Sequence, residues 1–263
     1  MDDDLRKTLT SCIDNIQCLP LTSGMAAYIC NSYFTSPIDL IRLTSLDPVL
    51  LGRLLHLANS FYDRPAQPVD SAARAIIILG MNTVKNLVIS LLPENIVKNE
   101  KNNSYYDMYA FWQHSFCVAF TASFFAKKRG FSAEMAEKYF TAGFLHDIGK
   151  LLLFRTGEQM PGIDHCQSGE LICENWMLEN HIKDTIIHHH LYNEYSGEHK
   201  DILLSVAVSN YLVNSGDEEA VFLDICKKLG LSGDLVFSIY YDIKSTVEYE
   251  LQKAELYLKS AGF

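Results

Sequence analysis

Between residues 36 and 60 the chain reads SPIDLIRLTSLDPVLLGRLLHLANS, with apolar residues at Ile38, Ile41, Leu43, Leu46, Leu50, Leu54 and Leu57. Steps of three and four place such residues on one face of an α-helix, and that face must be buried against other helices. Ser36 before Pro37 and Asp47 before Pro48 are helix-start signals. The side-chain oxygen accepts a backbone N–H that has no partner inside the helix, and a proline in the first turn gives up no helical hydrogen bond. Two helices are predicted to begin at these points, the second closing at Asn59-Ser60.

The same reading predicts helices over about 70–78, 81–92, 107–128, 132–154, 168–180, 182–190, 199–213, 218–229 and 233–259. No strand pattern competes, and 14 glycines and 7 prolines in 263 residues leave long uninterrupted segments. The fold class is therefore all-α. The polar tract PENIVKNEKNNSYYD (93–107) breaks the periodicity. It is expected to be a seam between an N-terminal helical part, 1–98, and a second helical part, 99–263.

Charge narrows the partners. The chain carries 22 Lys and Arg against 32 Asp and Glu, a formal charge of −10, which repels phosphate backbones and membrane headgroups. Neither nucleic acid nor membrane is expected. Seven scattered cysteines with no Cys-x-x-Cys spacing fit a reducing compartment and small core positions. The acidic N-terminus MDDDLRKTLT is unlike a secretory signal. A cytoplasmic protein is the expectation.

The run YFTAGFLHDIGKLLLF (139–154) is too short to span a bilayer comfortably and carries His146, Asp147 and Lys150 at its middle. An ionised carboxylate in such surroundings is costly unless hydrogen bonds, a counter-charge or a metal ion receives it. Two readings are open: a hydrogen-bonded structural pair, or ligands of an ion lying beside the helix. The pair is not isolated, because His114, His165, His188, His189 and His190 also fall in the second half near apolar helix faces. HHH at 188–190 can also be a solvated helix end stabilised by the helix dipole. His165, in the Gly- and Pro-flanked MPGIDHCQSGE, reads as a loop residue. His56, His181 and His199 read as packing or surface residues. Gly143 and Gly149 permit close approach of neighbouring helices to the pair. Mixed imidazole and carboxylate donors suit Zn, Mn or Fe, whereas Mg asks for more oxygens.

FWQHS (111–115), then FLHDIGK 32 residues after its histidine, then HCQSGELICENW and IIHHH, resemble the HD superfamily of metal-dependent phosphohydrolases. LDPVLLGRLLHLANS followed by SAARAIIILGMNTVKNLVIS resembles the N-terminal half of its HDOD branch, related in turn to the HD-GYP proteins. The resemblance covers about residues 10–215. It implies a multi-helical HD-like bundle preceded by an HDOD-like helical half. It also implies a metal set of His114, His146 and Asp147, closed on a later helix by the position that Asn210 occupies, in LLSVAVSNYLV, where the family has Asp. The dinuclear relatives add matches at His165, His189 and His190. The Gly-Tyr-Pro signature is absent, and Ala110 stands where a Glu often precedes the first histidine.

An amide at position 210 binds hard cations weakly and leaves the site one unit more positive. The cofactor implied is therefore a weakly bound divalent ion, Mn, Fe, Zn or Mg. Two functions follow from the resemblance. One is a cytoplasmic HDOD signal-transduction module with a degenerate, non-catalytic HD site and a signalling protein as partner. The other is a metal-dependent phosphohydrolase acting on a phosphate-containing small molecule, with Asp147 and Lys150 in catalysis and Lys150 touching phosphate.

Overall fold

The helices begin where side chains cap them. Ser36 Oγ accepts from the Asp39 amide and the Asp39 carboxylate accepts from the Ser36 amide, starting α1 (Pro37–Thr44). Asp47 Oδ1 accepts from the amides of Val49 and Leu50 at 2.8 and 3.1 Å, starting α2 (Pro48–Phe61). Ser71 and Ser132 do the same for α3 (Ala72–Leu79) and α5 (Ala133–Leu145). The computed structural model describes residues 6, 10–13, 16, 36–45, 47–61, 68–84, 87, 104–156, 163–214, 219–232, 234–235 and 242. The other named helices are α4 (Ser104–Lys128), α6 (Gly149–Thr156), α7 (His165–Asn175), α8 (Asn180–His188), α9 (Lys200–Val213) and α10 (Glu219–Lys228). Among the described residues there is no strand, and no helix is long and apolar enough to cross a membrane.

The long helix α4 packs against α5, and α9 lies across both. Helix α7 packs on α6 and α8, α8 on α5 and α9, and α10 on α9. On the N-terminal side α3 packs on α1 and α2, and α2 reaches α5. The largest apolar core is continuous from one side to the other, joining Leu40, Leu43, Leu54 and Leu55 to Phe144, Ile172 and Trp176. A Cβ at Gly52 would stand 2.4 Å from the Trp176 ring, so the absence of a side chain on α2 is what lets that indole seat there.

The predicted helices differ from the observed ones in an instructive place. The helix expected over 132–154 is two helices, α5 and α6, separated by a turn at 146–148. The His146 Nδ1–H donates to the Gly143 carbonyl at 2.7 Å, and the chain then turns so that Gly149 meets α7. A Cβ at Gly143 would come within 2.9 Å of Ala119 on α4, and one at Gly149 within 1.9 Å of the His165 carbonyl. Both glycines allow the close approaches expected of them. The helix expected at 168–180 is α7, three residues earlier, and the one expected at 182–190 is α8, which ends before His189 and His190. Of the seam at 93–107, residues 104–107 are the first turn of α4, and 93–103 lie outside the described residues. So do most of the helices expected at 81–92 and 233–259.

Candidate metal centre

Three pieces of chain converge on Asp147, which is 1 % exposed. Helix α4 brings His114, the α5–α6 turn brings His146 and Asp147, and α7 with the end of α8 brings His165, His189 and His190. On one side, Asp147 Oδ2 lies 3.4 Å from His114 Nε2 and 3.3 Å from His146 Nε2, and those two nitrogens are 3.3 Å apart. On the other, Asp147 Oδ1 lies 3.3 Å from His165 Nε2 and 3.6 Å from His189 Nε2. His165 Nε2 is in turn 3.4 Å from His189 Nε2 and 3.1 Å from His190 Nε2. One carboxylate therefore stands between two imidazole sets. The expectation of neighbours on one helix is corrected: His146 caps α5 and Asp147 follows it in the turn.

The tautomers follow from the outer hydrogen bonds. A carbonyl oxygen only accepts, so the His146 contact to Gly143 and the 2.9 Å contact from His189 Nδ1 to Ile186 require N–H at Nδ1. The Nε2 lone pairs of both rings then face the carboxylate. Such backbone contacts are the usual way ligating imidazoles are oriented. Two imidazole lone pairs turned toward a buried carboxylate make a ready donor set for a cation. Asp147 Oδ1 reinforces this, because it is buried and makes no hydrogen bond. The donor set fits a divalent metal on each side of Asp147.

Burial opposes the charged form of Asp147. The surrounding His146, His114 and His189 side chains outweigh it and hold the carboxyl far below the ordinary range. Burial lowers the imidazoles of His165 and His189, and that of His190 to about 4. Neutral imidazole, the form that ligates, is favoured at all three. Lys150 Nζ donates to Asp147 Oδ2 from the first turn of α6.

The position of His165 also differs from expectation. It is the first residue of α7, with Asp164 accepting from the Gln167 amide and the Gln167 side chain accepting from the Asp164 amide. That capping box fixes the start of the helix and hence the aim of the ring. Asn210 is buried on α9, and its side-chain oxygen accepts from Asn214 Nδ2 at 3.0 Å along the same helix. His188 lies beside Tyr195, with ring centroids 5.1 Å apart and planes tilted by 44°, and belongs to neither imidazole set. His199 pairs with Asp184 at 2.7 Å.

The HDOD domain family matches residues 28–161, about half of the chain. This chain belongs to the HDOD family. The HD domain matches residues 111–231 of this HDOD protein, a span that takes in both imidazole sets and Asn210. In fold it is similar to the MmoQ response regulator from Methylococcus capsulatus str. Bath, with a TM-score of 0.67 and 17% identity, over 86% of this chain and 97% of that one. It is also similar to a virulence factor from Campylobacter jejuni subsp. jejuni, with a TM-score of 0.68 and 18% identity, over 89% of this chain and 95% of that one. An uncharacterized protein of Treponema pallidum (strain Nichols) is 21% identical over 213 residues, 73% of this chain. The HDOD chain spans only 40% of that relative's length.

One residue of the centre was not expected. Cys166 Sγ lies 3.7 Å from His165 Nε2 and belongs with His165, His189 and His190 to a group whose donor atoms are all within 4.8 Å of one another. Its place in the chain, directly after His165, was the available signal. Burial, with Asp164 and Asp147 adding to it, pushes the thiol up to about 12, so without a cation it is neutral.

Proposed function

We propose that this HDOD protein is a signalling module that binds divalent metal on either side of Asp147 and does not turn over a phosphoester. Asp147 carries the reading: a buried carboxylate with one oxygen toward each imidazole set and no hydrogen bond to Oδ1. A bound ion would supply Lewis-acid polarisation of a phosphoryl oxygen. His114, His146, His165, His189, His190 and Asp147 would hold the ions, and Lys150 balances the carboxylate charge. Asn210 supports the non-catalytic half of the reading. It offers a neutral amide oxygen, already accepting from Asn214, where a carboxylate would hold a cation strongly. The fold shared with a response regulator supports a regulatory role; on this reading a partner protein would meet the N-terminal helices.

Elemental analysis of freshly purified protein, with hydrolysis of bis-p-nitrophenyl phosphate measured on the same sample, tests the proposal. Bound transition metal with background hydrolysis is the expected result. Absence of metal after supply of Mn, Fe and Zn returns the cluster to a structural role. Wild-type turnover on the order of 1 per second or faster refutes the non-catalytic half.

Lys150 favours a second reading, a metal-dependent phosphohydrolase on a phosphate-containing small molecule, because its side chain is 39% exposed and stands beside the centre. On that reading Asn210→Asp raises hydrolysis and His114→Ala removes it. On the preferred one both variants stay at background.

A further inference from the structure

We propose that Cys166 is the fourth donor of a closed, thiolate-containing zinc site formed with His165, His189 and His190. The inference rests on the metal-binding reading above and concerns what kind of site the second imidazole set makes. Zn–N bonds of about 2.0–2.1 Å and a Zn–S bond of about 2.3 Å in a tetrahedron require N–N edges of about 3.3 Å and N–S edges of about 3.6 Å. The structure has N–N separations of 3.4 and 3.1 Å and an N–S separation of 3.7 Å. The four donor atoms all lie within 4.8 Å of one another, the grouping of a candidate metal site.

A cysteine beside a histidine is not by itself a site. The independent observation is Asp147 Oδ1, which is buried, lacks a hydrogen bond and points at the same two nitrogens, 3.3 Å from His165 and 3.6 Å from His189. A cation among the four donors is what compensates that oxygen. Coordination replaces the Sγ proton, which leaves to solvent, and the thiolate and Asp147 together balance the ion's charge.

The chemistry of the donors selects the metal. Three imidazoles and a thiolate suit Zn, and disfavour Mg and Ca, which take oxygen donors. Four protein donors also fill the tetrahedron. Structural zinc sites have that closed form, whereas catalytic ones keep a position open. The second set thereby holds a structural ion that locks α7 to the end of α8, and the set with His114, which has three protein donors, is the one that leaves a coordination position open.

The test uses the full chain, stripped of metal and titrated anaerobically with Co(II), with bound cobalt counted separately. Wild-type protein is expected to show the near-ultraviolet sulfur-to-cobalt charge-transfer band and the intense visible bands of tetrahedral cobalt. Cys166→Ser should lose the charge-transfer band and bind Zn at least tenfold more weakly, while His114→Ala should keep the band. Alkylation mapped by mass spectrometry gives a second readout: Zn should protect Cys166 in the wild type and leave the half-buried Cys12 reactive. Cobalt bound in full without a charge-transfer band, or a band that survives in Cys166→Ser, overturns the assignment and leaves the metal-binding reading standing. No cobalt bound at all removes both.

Discussion

Gly149→Ala tests whether the metal centre depends on one backbone contact. A Cβ there would stand 1.9 Å from the His165 carbonyl oxygen and 2.5 Å from the Gly169 amide nitrogen. Both are backbone atoms, so no side chain can swing away. Real Cβ contacts essentially never fall under 3.0 Å, so α6 and α7 must separate by about 1 Å. Residue 149 is two positions after Asp147, and His165 opens α7, so the two sides that separate carry the carboxylate and the imidazole that face each other at 3.3 Å in the centre. Coordination tolerates about 0.2 Å of ligand displacement. A shift of about 1 Å therefore removes the contribution of one ligand, and at least the 10- to 100-fold loss typical of disturbed supporting groups is expected in metal affinity. Overpacking costs a further 1–3 kcal/mol or so of fold stability.

Zinc competition against a chromophoric chelator measures the first effect and urea denaturation the second. The control is Gly130→Ala. Gly130 has φ +84° and open space around the Cβ position, so it suffers backbone strain of about 1–2 kcal/mol without touching the centre. If folded Gly149→Ala binds zinc as tightly as wild type, or if Gly130→Ala loses as much affinity, the centre is not set by the α6–α7 approach.

Three other outcomes follow from the fold. Gly52→Ala puts a methyl group 2.4 Å from the buried Trp176 ring and should cost about 1–3 kcal/mol in urea denaturation, with a shifted tryptophan emission; an unchanged midpoint would mean that the two surfaces are not in register. Burial lowers His181, 5% exposed and with no partner on Nε2, from 6.5 to about 4, with Lys138 and His199 adding to the shift and Asp70 opposing it. Between those values the unfolded chain takes up a proton that the folded chain does not, so stability falls as pH falls. In metal-free protein His181→Gln should flatten the loss between pH 7 and pH 5 by up to about 2 kcal/mol, and identical slopes would place the acid sensitivity elsewhere. Limited proteolysis should cut first within the polar tract 93–103, and the two fragments should still co-elute on gel filtration because the core is continuous across it; fragments that separate without denaturant would mean two independent cores.

Signals that act over three or four residues were legible in the sequence. Ser36 and Asp47 cap their helices as read, because a side-chain oxygen and an amide three positions on decide the matter locally. The imidazole sets were legible only through resemblance, since 32 residues separate His114 from His146 and no local rule brings them together. The turn at 146–148 was not legible. Apolar periodicity runs straight through it, and what ends α5 is an imidazole turned back on Gly143 and a backbone contact to a helix 16 residues further on. His165 was misread as a loop residue on account of its Gly and Pro neighbours, although Asp164 and Gln167 form a readable capping box. Cys166 was passed over because one cysteine without a nearby second reads as core, and its partners at 189 and 190 are distant in sequence.

The same geometry ties the centre to the N-terminal helices. Helix α7 begins with His165 and Cys166 among the donors. At its other end the Trp176 cap rests over Gly52, with the Arg53 guanidinium 5.5 Å from the ring centroid. Eleven residues of helix make a strut of about 16 Å, and its flank is pinned by the Gly149 contact and by Gly169, where a Cβ would meet Ile186 of α8 at 2.5 Å. A helix so held moves as a body or not at all. The position of the His165 ring and the seat of Trp176 on α2 are therefore one degree of freedom. A substitution that displaces either end must show at the other, which is why metal affinity and tryptophan emission should be read together in every variant above.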